Sequence, residues 1–168
     1  PGQPQPPQKQ FETQLYTALQ RLDPSRPVYT ESESARIGSI SLPLDMVAHL
    51  RASTDLVEID ASPESRLDFL LRDYAYLGDD PAAFADLLGR FKQLQGNETI
   101  TRWQAWAQEG NLPELFAELM SRHYDPQYSR SLGRNFSHWD KRHTVKADDL
   151  SDSGIARLAE TVRGLFEG

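Results

Sequence analysis

The sequence predicts an α/β fold: a helix-rich chain around a parallel sheet of about three strands. Three short runs rich in β-branched and aromatic residues alternate with longer stretches whose apolar residues recur at helical spacing, and that alternation is the signature of strands joined by crossover helices. At 168 residues the chain is one domain's worth, long enough to bury about two-thirds of the surface its unfolded form exposes. Hydrophobic residues at 38% and charged residues at 26% describe a folding chain, not a disordered one.

In order, Gln5 to Gln8 is too proline-rich for helix and reads as an extended lead over residues 1–8. Phe11, Leu15, Ala18, Leu19 and Leu22 then form one apolar helical face, stopped by Asp23-Pro24. Val28-Tyr29-Thr30 is the first predicted strand, leading into the polar loop Glu31-Ser32-Glu33-Ser34. Pro43 begins a helix carrying Leu44, Val47, Ala48 and Leu50, and Leu56-Val57-Glu58-Ile59 is the second strand. Ser62-Pro63-Glu64 combines a hydroxyl cap, a first-turn proline and a first-turn acid, and so starts a helix running to about Leu77. Asp80-Pro81 opens the next, through Phe84, Leu87, Leu88, Phe91 and Leu94 to Gly96. Ile100, Trp103 and Trp106 mark a helix closed by Gly110, and Leu115, Phe116, Leu119 and Met120 mark another. A third strand is predicted near residues 143–146, and a last helix at residues 153–166 carries Ile155, Leu158, Val162 and Leu165. The chain thus divides into a strand-and-helix part with an acidic loop (9–61), a helical part (62–124) and a basic, aromatic segment with a terminal helix (125–168). Three strands make a thin sheet for so many helices, which points to a missing central element.

Composition excludes several chemistries. There is no cysteine, hence no disulfide, thiolate metal site or cysteine nucleophile. No apolar run approaches the roughly 20 residues of a membrane span, and a cytosolic location is compatible with the cysteine count. The net charge of −7 argues against a protein that coats nucleic acid along its whole surface. Between Arg122 and Lys146, however, Arg122, Arg130, Arg134, Lys141, Arg142 and Lys146 face only Asp125 and Asp140. Tyr124, Tyr128, Phe136 and Trp139 interleave with these cations, the pattern that grips single-stranded RNA by phosphate neutralisation and base stacking. The alternative is a folded surface whose tyrosines pack on the preceding helix, with Asp125-Pro126 as a structural turn. His138, Asp140 and His143 lie close in sequence, but no third metal ligand of suitable spacing accompanies the histidines, so no metal site is assigned.

Three stretches together resemble one family. Gln5-Pro6-Pro7-Gln8-Lys9-Gln10-Phe11-Glu12 is similar to a Gln-Pro-x-Gln-x-x-Phe-Glu segment, Glu31-Ser32-Glu33-Ser34-Ala35-Arg36-Ile37-Gly38 to a Glu-x-Glu-Ser-Arg-x-Ile-Gly loop, and Tyr124-Asp125-Pro126-Gln127-Tyr128 to a Tyr-Asp-Pro-x-Tyr motif, all of the tRNA 2-selenouridine synthases. The resemblance implies a cytoplasmic transferase acting on the wobble uridine in the tRNA anticodon, with a rhodanese-like domain followed by a P-loop domain. It implies replacement of the sulfur of 2-thiouridine by selenium from selenophosphate, through an intermediate geranylated by geranyl diphosphate. This chain lacks the rhodanese cysteine and any Gly-x-x-x-x-Gly-Lys-[Ser/Thr] loop. It therefore resembles the carboxyl-terminal part of the P-loop domain, inactive alone, with the phosphate-binding half and rhodanese-like domain as missing partners.

On that resemblance, Glu31 and Glu33 stand at the second acidic position of a P-loop site, where carboxylates hold Mg²⁺ through water or orient an attacking group; the alternative is two solvated acids at a turn. Arg66 stands in the place of the family's arginine at the start of a helix and is a candidate diphosphate or RNA contact, or an ion-pair partner of Glu64 or Asp68. Ala35 stands where the family has arginine, leaving Arg36 as the nearby candidate for an anion. Trp103 and Trp106 fit either a helical core or a pocket wall for a prenyl chain. Two other functions fit the same features: an RNA-binding module without catalysis, and a fragment of a P-loop kinase-like protein.

Overall fold

The computed structural model describes residues 4–32 and 34–167. Its organising feature is a dry helical core. Ser62 caps α3 (Pro63–Asp73) by accepting from the Ser65 N–H at 3.1 Å, and Asp80 caps α4 (Pro81–Leu88) by accepting from Ala83 N–H at 3.0 Å. These helices pack with α5 (Lys92–Gln95), α6 (Asn97–Glu109) and α7 (Leu112–Leu119). Phe84, Leu88, Ile100, Trp103, Ala107, Leu115, Phe116 and Leu119 form the buried centre. Leu67, Leu70 and Leu71 of α3 close its side. Gly96 and Gly110, both at positive φ (80° and 74°), bracket α6 in conformations that a side chain would strain.

The predicted helix at 80–96 is two helices, because the chain tightens into a 3₁₀ turn at Gly89–Phe91 between α4 and α5. Residues 125–126 correct the sequence reading in the opposite sense. They form no turn: α7 runs through a π-helical stretch, Met120–Tyr124, directly into α8 (Asp125–Asn135). Pro126 falls at the start of α8, immediately after the π-helical stretch.

The sheet is thinner than predicted. β3 (Val57–Asp60) and β4 (His143–Lys146) pair in parallel, with Val57 opposite His143 and Asp60 opposite Lys146. Residues 28–30 are exposed and join no ladder, so the parallel sheet has two strands among the described residues where about three were predicted. Their composition suits a strand, but a strand needs a neighbour and none lies beside them among the described residues. Helix α9 (Asp152–Gly164) follows β4, and its extension Phe166 meets His143 edge-on at 5.7 Å.

Helix α1 (Gln8–Leu19) buries no residue fully and leads to a feature the sequence reading did not contain: an antiparallel hairpin of β1 (Arg36–Ile37) and β2 (Ile40–Ser41), followed by α2 (Leu44–Arg51). Two glutamines bind the extended lead to it. Gln5 donates to the Ile37 carbonyl at 2.8 Å and accepts from Ser39 N–H at 2.8 Å, while Gln8 donates to the Ser41 carbonyl at 2.8 Å and accepts from its N–H at 2.9 Å. Gly38 turns the hairpin at φ 62°, and a Cβ there would come within 2.5 Å of the Gln5 amide. Two of the resembling motifs are therefore one folded unit, each amide satisfying both hydrogen-bonding groups of a hairpin edge. No described helix is long and apolar enough to cross a membrane.

Candidate functional site

A cleft of about 1530 Å³ opens where the sheet is thin. One wall is the segment from Pro24 to Ser32 with Ser34, Ala35 and Ile37, another the stripe Ile155, Leu158, Val162 and Phe166 of α9 and its extension, and a third is the face of α8 that carries Asp125, Tyr128 and Leu132. β3 lies along it, and among the described residues β3 is bonded to β4 alone. The parallel ladder alternates: the Leu56 and Asp60 carbonyls accept from His143 and Ala147 N–H groups. The main-chain groups of Val57 and Ile59 consequently point away from β4, toward the cleft.

Polar groups gather at one end. Arg66, at the start of α3, makes a two-pronged bond to Asp125: Nη1 to Oδ2 at 3.1 Å and Nη2 to Oδ1 at 2.5 Å. Both side chains remain more than a third exposed or close to it, so the pair fixes geometry more than it adds stability. Glu64 and Asp68, the partners expected from sequence proximity, are not used. Tyr128 Oη stands 3.5 Å from Ser32 Oγ across the cleft mouth. Glu31 is exposed and lines the cleft; Glu33 lies outside the described residues. Arg36 is turned away, its Nε donating to the Gly38 carbonyl at 3.0 Å, whereas Ala35 and Ile37 line the cleft. Strand alternation explains this, since neighbours on β1 face opposite sides.

The basic segment separates into two groups. Arg142 donates to Glu58 at 2.8 Å and to the Trp139 carbonyl at 2.9 Å, with its guanidinium over the Trp139 ring at 4.5 Å. Lys146 pairs with Asp60 across the ladder, and that bond raises its pKa. These two cations tie β4 to β3. Lys141 is exposed beside them. Arg122, Arg130 and Arg134 line a second groove, of about 640 Å³, on the other side of α8. Tyr124 and Tyr128 are both about half exposed, and Tyr124 meets the His123 ring edge-on at 4.9 Å. Trp103 is core: it is fully buried and its indole N–H donates to Glu118 at 3.0 Å. Trp106 is partly buried beneath the Arg102 guanidinium, 5.5 Å from its ring.

Two groups escaped the sequence reading. Glu118 receives Arg102, Arg122 and the Trp103 N–H together; burial alone would raise its pKa, but these partners outweigh burial and lower it. His123 is buried, which depresses its pKa, and its Nδ1 lies 3.2 Å from both the Gln95 and Gln127 amide nitrogens. Both amides therefore converge on one edge of the buried ring. Its place in a π-helical turn was invisible to helical periodicity.

Among known proteins, the family model described as the tRNA 2-selenouridine synthase AAA domain matches residues 1–109. No curated protein and no solved structure matches the chain. The matched span contains both glutamines, the hairpin, β3, α3, α4 and the Trp103 helix, and so accounts for most of the fold just described. The chain belongs to the tRNA 2-selenouridine synthase family, through its AAA domain.

Proposed function

We propose that this chain forms one wall of the diphosphate site, and part of the tRNA surface, of an enzyme that converts wobble 2-thiouridine to 2-selenouridine in the cytoplasm. The observation that carries this reading is the free edge of β3 inside the cleft, within the span matched to the family. A parallel sheet is normally covered on both faces and paired at its centre. Here α9 extends an apolar stripe past that edge, over space that holds no strand among the described residues. An upstream strand bearing the phosphate-binding loop would pair with Val57 and Ile59 and bring its loop to the end where Glu31 and Arg66 stand.

The chemistry requires a diphosphate site near an RNA site. Alkylation forms a bond from the 2-thiouridine sulfur to the first geranyl carbon and expels diphosphate. The alkylated sulfur is then a leaving group: selenophosphate adds through its selenium at C2, the C–S bond breaks as geranylthiol departs with a proton, and water cleaves the Se–P bond to leave 2-selenouridine and phosphate. Arg66 is the cation placed to meet the leaving diphosphate, once it exchanges Asp125 for a phosphoryl group of matching two-pronged geometry. Glu31 fits a Mg²⁺ ion only through water and the diphosphate oxygens, because no group of three ligating side chains converges among the described residues.

The test joins the 168-residue chain to the upstream P-loop half and rhodanese-like domain, and follows the wobble nucleoside by mass spectrometry with geranyl diphosphate and selenophosphate. The joined protein should produce 2-selenouridine and the chain alone none. Substituting Arg66→Ala in the joined protein should lower conversion at least tenfold. Full conversion by that variant would remove Arg66 from the site, and conversion by the chain alone would overturn the division of labour.

A further inference from the structure

The groove on the far side of α8 is lined by Leu94, Gln95, Arg122, Pro126, Gln127, Arg130, Ser131, Arg134 and Asn135. It holds three guanidinium groups and no carboxylate in its lining, on a chain whose net charge is −7. We infer that this groove is a track for the phosphate backbone of single-stranded or looped RNA, separate from the cleft and sharing α8 with it as a wall. The inference deepens the proposed function and rests on it for the identity of the RNA. The groove's cations all lie beyond the residues matched to the family.

The arginines are available in a way that the other cations of the segment are not. Arg130 uses only Nε, which donates to the Pro126 carbonyl at 2.9 Å, and Arg122 uses Nε on Glu118 at 2.7 Å. Both therefore keep their Nη donors for another acceptor. Arg134 is exposed and makes no hydrogen bond or ion pair among the described residues. Glu118, the acid facing this group, is already shared between Arg102 and Arg122. Arg142 and Lys146, by contrast, are held by Glu58 and Asp60.

Spacing supports a linear polyanion. Arg130 and Arg134 are one helical turn apart, a rise of about 6 Å, which suits successive phosphates better than a single compact anion. The groove also has polar groups suited to ribose and base edges. Gln95 and Gln127 are held by their nitrogens on His123, so both amide oxygens are oriented and lack partners among the described residues. An acceptor of that kind meets a ribose 2′-hydroxyl, the group that distinguishes RNA from DNA. Tyr128, half exposed on the cleft face of the same helix, offers a ring on which an unstacked base can rest.

The test is fluorescence anisotropy with an anticodon stem-loop bearing 2-thiouridine, at low and moderate salt, on the intact 168-residue chain. The Arg130→Ala/Arg134→Ala variant should bind at least tenfold more weakly, and the salt slope should fall by about two. Lys9→Ala/Arg21→Ala removes the same charge from the region of α1 and should change affinity less than twofold. Equal losses in both variants would reduce the effect to net charge and overturn the groove. RNA binding that survives in the arginine variant, or its absence from the folded parent chain, would overturn it too, as would equal affinity for polyglutamate, which would assign the patch to an acidic protein. Wobble conversion by the joined protein separates the two proposals: normal conversion in the arginine variant leaves the proposed function standing and removes the groove.

Discussion

The helical core and the cleft are built from the same kinds of residue and end in opposite states. In the core, Trp103 and Leu115 are fully buried and Leu88 is 1% exposed. Around the cleft, Val28 is 54% exposed, Tyr29 47%, Ile59 42% and Ile155 38%. Hydropathy does not distinguish these sets. What differs is that the central apolar faces of α3, α4, α6 and α7 pack on one another, whereas the stripe of α9 and the edge of β3 extend past their partners among the described residues. Burial depends on a neighbour as much as on a side chain, and among the described residues one region supplies that neighbour where the other does not.

The largest expected effect follows directly. Trp103→Ala removes a fully buried indole and its bond to Glu118, and should destabilise the chain by about 3–5 kcal/mol in urea unfolding. Phe166→Ala, on the open side, should cost about 1 kcal/mol or less, because its ring is already partly in water. Similar values would erase the distinction between the two regions.

Glu118 sharpens it. Its side chain is 16% exposed and serves two arginines and an indole N–H. Glu118→Ala leaves those donors without their acceptor and should cost about 2 kcal/mol. Glu118→Gln, which keeps an acceptor oxygen, should recover a measurable part of that in the same urea experiment. Recovery to parent stability would mean that the charge contributes nothing and that the hydrogen bonds carry the whole effect.

The pH dependence divides by residue. His123 is held neutral by burial, so the unfolded chain takes up its proton at higher pH than the folded one. Stability is then unaffected by this group above its ordinary pKa of about 6.5 and falls as pH drops below that value. Glu118 acts in a lower window. Its folded pKa is depressed, so its contribution is present above the ordinary carboxylate value and is lost as pH falls through the folded one. Melting temperatures between pH 7.5 and 5 should decline in the parent chain and decline less in His123→Gln. An unchanged slope in that variant would place the titrating group elsewhere.

What was legible in the sequence was local. Ser62-Pro63 and Asp80-Pro81 announce α3 and α4 because a cap and its helix are neighbours in the chain. The pairing of Arg66 with Asp125 crosses 59 residues, and nothing near Arg66 announces it. The same is true of Gln5 and Gln8, whose motif was visible although its grip on a hairpin more than 30 residues away was not. The two-residue strands β1 and β2 are too short to show alternation. Residues 28–30 fail in a different way: the composition is a strand's, and the lack of a neighbour among the described residues decides. In the basic segment, charge was legible but availability was not, because the carboxylates that occupy Arg142 and Lys146 come from β3.

Those two cations set the smallest expected effects. Lys146 is 74% exposed, and its pairing with Asp60 is a surface ion pair. Lys146→Ala should therefore leave the urea midpoint unchanged. Arg142 is 28% exposed, donates to Glu58 and to the Trp139 carbonyl, and stacks on the Trp139 ring. Arg142→Ala should cost about 1 kcal/mol, and Arg142→Lys should restore little of it, since an ammonium cannot reproduce the planar stack and the fork together. Because β4 is the one partner of β3 in the described sheet, this loss should appear first as faster amide exchange along Val57–Asp60, before any shift in global melting. Exchange that accelerates equally in α6 would show instead that the sheet and the core unfold as one unit, and would remove the boundary between the two regions.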